Sequence, residues 1–439
     1  MINPKLQQGF KRFRNQKRAF YSLVVLFAVL LLTLPAELLC NSRPLVVRIE
    51  DNWYFPVFKD YKVADFGGDT QVTPDYKQPY FWRDIGCDPQ EAGLRFIEEK
   101  ELRQPSSEEV REILKLFPTK KPEHPGKNAE SNLPFSIDTK AETGGETSAH
   151  MRKSEALDKI TQNEMKQQKD CWVLWPPVRY DYAYIPFSSR AGRVALASPT
   201  GGELPGSDEE IASSWVDGHY LGTDNRGRDV LARLIYGLRV SLVFGILLAT
   251  TSTIIGAALG SAQGYYGGWI DLLGQRLTEM WGSLPRLYLL MILSSLLARD
   301  IKVLFVILNL TSWMAMSAYM RAEFLKGRNL DYVKAARALG VSGPAIMFRH
   351  ILPNSLTPII TFFPFSVTGG ILALVALDFL GLGVPSPHPS IGELLRQGQA
   401  NLHALWIILP TFFVLSGTIT LLTFIGDGLR NAFDPRKAA

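Results

Sequence analysis

The sequence lacks the short motifs by which common classes of enzyme are recognised. It has no Gly-x-x-x-x-Gly-Lys-Ser/Thr phosphate loop, so this chain is not expected to hydrolyse ATP itself. A nucleophile elbow and a His-Glu-x-x-His metal motif are also missing. We therefore predict that the chain is not an enzyme, that it has no catalytic residue and that it needs no cofactor.

Cysteine and histidine are both scarce, at 3 and 6 of 439 residues. No group of them has the spacing of zinc ligands, so no metal site is predicted. We interpret His350, His388 and His403 as residues at helix ends or interfaces rather than as ligands.

Long apolar runs are missing from residues 41–218 but recur from Val240 onward. A helix needs about 20 apolar residues to cross roughly 30 Å of hydrocarbon, and it satisfies its own backbone there. The sequence predicts an all-α polytopic membrane protein with six transmembrane helices and a mixed α/β insertion after the first. The predicted spans are Ala19–Leu39, Val240–Gln263, Leu284–Leu297, Val303–Tyr319, Leu356–Leu377 and Ala404–Ile425.

Acidic residues are absent from residues 1–18, where six lysines and arginines precede the first span. A nucleic-acid-binding arm is one interpretation of such a run. Because an apolar stretch follows at Ala19, the positive-inside rule favours a cytoplasmic tail, and no nucleic-acid partner is predicted. The span Ala19–Leu39 is expected to stay uncleaved, since it is long for a signal peptide and no small-x-small cleavage site follows it.

Six spans place both termini on the cytoplasmic side of the membrane. The loop between Arg321 and His350 carries six basic and two acidic residues, whereas the loop between Asp378 and His403 carries a single arginine. This asymmetry favours a cytoplasmic position for the first loop and an external position for the second.

The insertion is predicted to lie outside the cytoplasm and to mix strands with helices. A hairpin of Leu45–Ile49 and Trp53–Phe58 is expected near its start. Near its end, Tyr180, Tyr182 and Tyr184 alternate as they would on a strand. Between these parts we expect helices at about 106–116 and 154–169, on either side of a polar, disordered stretch at about 120–149.

Two of the cysteines, Cys87 and Cys171, fall in the insertion, on the side of the membrane where a disulfide persists. We predict that they form a disulfide that closes off the segment between them. Cys40 is left as a free thiol at the membrane surface.

The predicted cytoplasmic loop contains a short amphipathic helix that ends at Gly340. Glycine suits the left-handed backbone that ends a helix, so a second helix is expected beyond it, entering the fifth span at Pro353. A helix that stands out from a membrane can dock into a soluble partner and pass on its movement. The alternative is an interfacial helix that lies on lipid headgroups, and the pattern alone does not choose between them.

This loop resembles the EAA loop of ABC importer permeases, whose signature is Glu-Ala-Ala, three further residues, Gly, and a later motif ending in Leu-Pro. Lys334 stands where the glutamate is typical, which puts an ionic contact from that position in doubt. The resemblance implies that the loop docks on an ATPase. The residues it assigns to the contact are Lys334, Ala335, Ala336, Gly340 and Pro353.

A second string, His219–Leu242, precedes the second span. Taken alone it is an ordinary helix start, capped by Asp224 or Thr223, with Arg228 and Asp229 as solvated charges. The string resembles the dipeptide, oligopeptide and nickel branch of these permeases, as do Gly264–Gly268, Leu380–Val384 and the tail Gly426–Arg436. The resemblance implies a signature at the outer mouth of the pathway, made of Gly222, Thr223, Asp224, Arg228 and Asp229.

Three stretches of the insertion, 52–61, 66–69 and 174–180, resemble the Yej-type permease of oligopeptide and microcin C importers. The lobe at 88–170 is longer than that resemblance leads one to expect, and the sequence assigns it no role. The scattered histidines give no support to a nickel substrate.

The resemblance implies a cytoplasmic tail (1–18), a first span (19–39), a periplasmic insertion (40–218) and a type-1 permease core (219–436) with its EAA loop at 321–353. It implies the permease subunit of an ATP-driven peptide importer in a bacterial inner membrane. The implied partners are a second permease subunit, cytoplasmic ATPase subunits, a periplasmic peptide-binding protein and membrane lipid. The alternative is a membrane-anchored sensor or scaffold whose insertion binds a ligand, but this alternative gives the EAA-like loop no function.

Overall fold

A computed structural model of the chain describes residues 4–68, 70–89, 92, 169–186, 195–203, 210–211, 213–297 and 300–433. Several sequence predictions lie outside these residues: Asp69, the helices at 106–116 and 154–168, the polar stretch at 120–149, and residues 434–436 of the tail motif.

The chain begins with two helices joined at a sharp bend. Helix α1 (Pro4–Asn15) and helix α2 (Lys17–Thr33) meet at 94°. Helix α2 ends earlier than the predicted span, because Pro35 has no N–H to continue the hydrogen-bond ladder. A single turn, α3 (Ala36–Leu39), follows.

Residues 44–174 form a compact unit of their own. Strands β1 (Val46–Ile49) and β2 (Asn52–Tyr54) form the predicted hairpin, although the second strand ends before Pro56. After a 3₁₀ turn (Val63–Phe66) and helix α4 (Pro79–Asp84), strand β3 (Cys171–Leu174) pairs antiparallel with the other edge of β1. The sheet order is therefore β2-β1-β3.

This unit is held together by aromatic packing and by a disulfide. Phe81 and Trp82 of α4 are buried, and Phe66 packs edge-on against Phe81 with ring centroids 5.6 Å apart. Cys87 and Cys171 are joined, with their Cα atoms 5.8 Å apart. The disulfide places β3 next to the end of α4, at the base of the segment between the two cysteines.

Residues 1–43 and 175–439 form the second unit, which contains the long helices. Before the first long helix, this unit contains a two-stranded ladder and a 3₁₀ turn. The strands are β4 (Gly202–Glu203) and β5 (Glu210–Ile211), and the turn is Ser214–Asp217. The helices that follow are α5 (Val230–Tyr266), α6 (Gly268–Gly282), α7 (Arg286–Leu296), α8 (Ile301–Gly327), α9 (Asp331–Ala338), α10 (Gly343–Ala345), α11 (Leu356–Phe379), α12 (Ile391–Ala400) and α13 (Leu405–Phe433).

The strand suggested by the three alternating tyrosines is not formed, and that prediction was wrong. Asp181 accepts hydrogen bonds from the backbone N–H groups of Ala183 and Tyr184, both at 2.7 Å. Such a side-chain turn competes with a strand ladder for the same backbone groups. The stretch instead packs its side chains inward, with the Tyr180 hydroxyl donating to the Asp217 carbonyl at 2.6 Å.

Within the described residues, four helices are long and apolar enough to cross a membrane, namely α5, α8, α11 and α13, and the bent α1–α2 pair raises the number to five. The third predicted span, Leu284–Leu297, forms only the 11-residue α7. Eleven residues rise about 16 Å, roughly half of the hydrocarbon thickness. The break at Ser283–Pro285 separates α7 from α6, so the chain can cross at this position only by using both helices.

Close packing of α5 against α8 depends on glycines at four-residue spacing. A Cβ atom on Gly256 would lie 2.5 Å from the Trp313 carbonyl oxygen, and one on Gly264 would lie 2.5 Å from the Arg321 carbonyl oxygen. Small residues at this spacing let two helix backbones approach closely in a membrane. The all-α core and the small mixed insertion agree with the predicted fold class.

Candidate functional site

Helix α9 is anchored to the helix bundle by one face. Val333 is fully buried and Ala336 is 7% exposed, in a cluster with Tyr265 of α5 and Phe324 of α8. The Arg337 guanidinium also lies over the Tyr265 ring, 5.5 Å from its centroid. The two buried positions are three residues apart, as expected for one face of a helix.

The other face of α9 is open. Lys334 and Ala335 are both exposed, and the Lys334 ammonium lies 3.4 Å from a fully exposed Asp331 carboxylate. Water and salt screen an exposed pair of this kind, so it holds the Lys334 side chain only loosely. The structure therefore divides the predicted docking residues: Ala336 belongs to the anchor, while Lys334 and Ala335 face outward.

The chain reverses after α9 at Gly340, which has φ +78° and open space around the position of a Cβ atom. The Val341 N–H donates to the Ala336 carbonyl at 3.1 Å, which closes the last turn of α9. The positive φ, rather than crowding, is what favours glycine here.

The expected second helix is present but irregular. It passes from α10 into a π-helical turn (Ile346–Ile351) and a 3₁₀ turn (Leu352–Asn354) that contains Pro353, immediately before α11. Ile346 and Ile351 are fully buried in the same cluster as Val333. Helix α9 and the start of α11 therefore share one small core.

Large apolar side chains remain exposed around α9. Leu339 is 83% exposed and Phe348 is 69% exposed, with Leu330 and Tyr332 partly exposed beside them. Exposed apolar side chains of this size, close together in sequence, are typical of surfaces that bind a partner. We call these four residues the α9 patch.

The residues of the second string lie at the opposite end of α5, where they form a buried charge cluster. Arg228 donates from Nε to an Asp224 carboxylate oxygen at 2.8 Å, and Arg233 donates from Nη2 to Glu393 Oε2 at 2.7 Å. Arg228 Nη2 also lies 3.3 Å from Glu393 Oε1. The cluster pairs two cations with two carboxylates, and all four side chains are at most 9% exposed.

Asp229 caps α5 and is also buried. Its carboxylate accepts from the Ala232 N–H at 2.7 Å and lies 2.8 Å from Nδ1 of His219. The interpretation of this string as an exposed helix start, capped by Asp224 or Thr223, was therefore wrong. Asp229 is the cap, and neither it nor Arg228 is solvated.

Gly222 and Thr223 fasten the preceding loop to α13. Gly222 has φ +70°, and a Cβ atom there would lie 2.6 Å from the Ala197 carbonyl oxygen and 2.7 Å from the Trp406 ring. The Thr223 carbonyl accepts from the Trp406 indole N–H at 3.2 Å. All five residues of the predicted signature thus lie in one buried region.

Two groups near this region have raised pKa values. Burial, reinforced by the Asp229 charge, raises the pKa of the Cys40 thiol to about 12. Burial also raises the pKa of Tyr180, whose ring stacks on the His219 ring with centroids 3.9 Å apart. Both side chains stay neutral at physiological pH. No group of three or more potential metal ligands occurs in the described part of the chain.

Sequence reasoning missed Glu393, the partner of both arginines. It lies on α12, 165 residues beyond Arg228, and no local spacing connects the two. Ser386, which accepts from Arg228 Nη1 at 2.9 Å, was missed for the same reason. Arg233 could have been found, because a charged residue inside an apolar helix needs a partner.

Comparison with known proteins identifies the class. Residues 252–439 match the family described as binding-protein-dependent transport system inner membrane component. Over 437 residues the chain is 34% identical to the inner membrane ABC transporter permease protein YejE of Escherichia coli (strain K12), covering 100% of this chain and 99% of that protein. The chain therefore belongs to the inner membrane ABC transporter permeases. Within them it belongs with the YejE proteins.

Two further relatives and one solved structure complete the comparison. The chain is 33% identical to the peptidoglycan transport system permease protein YejE of Agrobacterium fabrum over 447 residues, which cover 99% of this chain and 94% of that protein. It is 36% identical to the oligopeptide transport system permease protein OppC of Haemophilus influenzae over 219 residues, covering 50% of this chain and 70% of that protein. An inward-facing structure of the MetNI methionine ABC transporter aligns at 15% identity and a TM-score of 0.38, over 46% of this chain and 96% of that one.

Family membership confirms the prediction of a membrane transport subunit of the Yej type. The apolar helices α5, α8, α11 and α13 agree with a multi-pass protein of the inner membrane.

Proposed function

We propose that this chain is a permease subunit of an ATP-driven importer of peptides, and that the loop around α9 couples the ATPases to the pathway. Support for a peptide substrate comes from the names of the relatives, which include an oligopeptide and a peptidoglycan transport permease. The expected substrates are oligopeptides, with microcin C-like peptides among them.

The observation that carries the coupling proposal is the two-sided character of α9. One face is locked by Val333 and Ala336 into a core shared with α5, α8 and the start of α11. The other face exposes Ala335 and Tyr332, and the other residues of the α9 patch flank the helix or lie in the π-helical turn that follows it. A rigid element with an uncovered apolar surface can take up the movement of a docked partner and pass it to the helices behind it.

The interfacial alternative places the same exposed face on lipid headgroups. The exposed Lys334 and Arg337 suit that position too, so recovery of an ATPase decides between a protein groove and the headgroup layer.

The proposed assembly follows from this assignment. A second permease subunit pairs with this chain around the pathway, two cytoplasmic ATPases dock on the EAA loops, and a periplasmic protein delivers the peptide. The tail 1–18 and the loop 321–353 lie in the cytoplasm in this arrangement, whereas the insertion 40–218 and the buried charge cluster lie at the periplasmic side.

The experiment is co-purification from native membranes in mild detergent, with partners identified by mass spectrometry. Leu339→Asp places a charge in the centre of the α9 patch, and we expect it to abolish recovery of the ATPase and uptake of peptide. Leu402→Asp is the matched control, because Leu402 is also a loop leucine and is 70% exposed. It should retain the ATPase.

Retention of the ATPase by Leu339→Asp would move the coupling contact away from α9. Recovery of the intact wild-type chain without any ATPase, in several detergents, would favour a membrane sensor or scaffold instead.

A further inference from the structure

A cavity of about 300 Å³ lies where α5, α8 and α11 meet, near the middle of all three helices. Its size is at the lower end of the range for small-molecule sites, about 300–1,000 Å³, so it holds a few residues of a peptide rather than a whole peptide. The lining residues that matter here are Ser252, Ser312, Tyr319, Phe362, Ser366 and Gly369.

The cavity is polar without being charged. Serine side chains reach it from each of the three helices, and none of the described residues that line it is acidic or basic. The Ser252 hydroxyl donates to the Ala249 carbonyl and the Ser366 hydroxyl donates to the Phe362 carbonyl, both at 3.2 Å. With their protons used within the helices, these two serine oxygens keep lone pairs that can accept hydrogen bonds from a ligand.

A second cavity in the same bundle has the opposite character. It measures about 530 Å³ and lies between α5 and α8, lined mainly by residues such as Val243, Leu247 and Val306. Arg239 and Lys302 are its only charged lining residues among those described. An apolar groove with basic residues suits a phospholipid. Convergence of hydroxyls from three spans is therefore a particular feature of the serine-lined cavity and not of every crevice in the bundle.

One wall of the serine-lined cavity is an aromatic pair. Tyr319 and Phe362 stack with ring centroids 4.1 Å apart and an angle of 22° between the planes, and Tyr319 is 45% exposed. Stacked rings present apolar faces to a neighbouring side chain, while the phenol can hydrogen-bond at its tip. Hydroxyl acceptors beside flat apolar faces suit a peptide, whose backbone donates N–H groups and whose side chains vary.

We propose that this cavity is a segment of the peptide pathway, in which the oxygens of Ser252 and Ser366 accept hydrogen bonds from the peptide backbone. The inference rests on the proposed function as an importer. Because the lining is uncharged, this segment admits peptides without regard to the charge of their side chains. Polar lining of this kind at membrane depth is stable where it is buried in protein or faces water, and a pathway supplies the water.

The first test measures water access with single cysteines in the assembled complex. A charged, water-soluble methanethiosulfonate reagent reacts with the thiolate, which forms only in contact with water. We expect Ser366→Cys to be labelled, and a transported peptide to slow the labelling. Thr420→Cys, an exposed hydroxyl position in the middle of α13, is the control and should stay unlabelled. Background labelling of this chain's native cysteines should be low, since Cys40 is buried and Cys87 is bonded to Cys171.

The second test blocks the cavity without disturbing the fold. A Cβ atom on Gly369 or on Gly417 meets nothing within 4 Å, but only Gly369 lines the cavity. We expect Gly369→Trp to abolish peptide uptake while the complex still forms, and Gly417→Trp to leave uptake unchanged.

The outcomes separate this inference from the proposed function. Normal uptake by Gly369→Trp, or labelling of Ser366→Cys no faster than that of Thr420→Cys, would overturn the pathway assignment while leaving the importer intact. Absence of peptide uptake by the wild-type complex would overturn the importer itself.

Discussion

Removal of Glu393 tests the buried charge cluster directly. The Glu393 carboxylate accepts from Arg233 Nη2 at 2.7 Å and from Gln397 Nε2 at 3.0 Å, and it lies 3.3 Å from Arg228 Nη2. In Glu393→Ala the two guanidiniums, each at most 1% exposed, would be left with a single carboxylate, that of Asp224.

The expected cost is large because the charge cannot reach water. Breaking a buried ion pair by removing one partner destabilises a protein by about 3–5 kcal/mol. Glu393→Ala should therefore lower the thermal stability of the detergent-solubilised protein and the yield of folded protein in the membrane. Glu393→Gln keeps the shape and part of the hydrogen bonding, so its loss should be smaller.

The control is the exposed pair Arg276–Glu279, whose side chains are 72% and 57% exposed at an N–O distance of 2.6 Å. A surface pair contributes about 0–1 kcal/mol, so Glu279→Ala should be nearly neutral. Melting followed by size-exclusion chromatography compares the two variants under identical conditions.

A double variant distinguishes the loss of charge balance from the loss of packing. Arg233→Met with Glu393→Leu removes one charge of each sign and leaves the Arg228–Asp224 pair intact. Replacing a buried pair by apolar residues is often neutral, so the double variant should be more stable than Glu393→Ala alone. If Glu393→Ala melts no earlier than Glu279→Ala, or if the double variant is the least stable of all, charge pairing is not what holds this region.

Three further predictions concern the backbone and the cysteines. Gly340→Val should abolish peptide uptake while the protein stays in the membrane, because a β-branched residue resists φ +78°. Gly340→Asn is the control, since asparagine tolerates that backbone and should retain uptake. Normal uptake by the valine variant would contradict the role of the chain reversal at Gly340. Cys87→Ser should lose the gel-mobility shift on reduction that the disulfide with Cys171 gives the wild type, and persistence of the shift would refute the bond. Since burial raises the pKa of Cys40 to about 12, its thiol stays protonated at pH 8 and should be alkylated only after denaturation; rapid alkylation of the native protein would contradict its burial.

The lengths of the apolar runs predicted most of the membrane-spanning helices. One residue, Pro285, explains why the predicted span Leu284–Leu297 does not form a full-length helix. Helices α5, α8 and α11 contain the spans drawn from the sequence, and α13 begins one residue after the predicted start at Ala404. Over Leu284–Leu297 the composition is equally apolar, but Pro285 cannot continue a helix from α6. Hydropathy measures the solvent that a segment prefers, not whether its backbone is continuous.

The sequence predicted the α9 loop more completely than the buried charge cluster, because it shows only which residues are close along the chain. The α9 loop is formed by residues close together in sequence, so a motif located Ala335, Ala336 and Gly340. The buried charge cluster joins Arg228 to Glu393 across 165 residues, and only the fold brings them together. Without Glu393 the sequence offered no reason to bury Arg228, so solvated charges remained an alternative to the signature that the resemblance implied.

Helix α5 connects these two sites. Its 37 residues span roughly 55 Å, from the N-terminal turn that holds Arg233 to Tyr265, which packs against α9. Between Arg233 and Tyr265, the glycines of α5 that face α8 let the two helix backbones pack in close contact. On the proposed function, a displacement of α9 reaches α5 and α11 through one small core. At the far end it meets the ion pairs that fasten α5 to α12. A buried cluster resists gradual deformation because each half-broken state leaves a charge unpaired. On the proposed function, the far end is therefore expected either to stay clamped as the bundle moves or to release all of its pairs together.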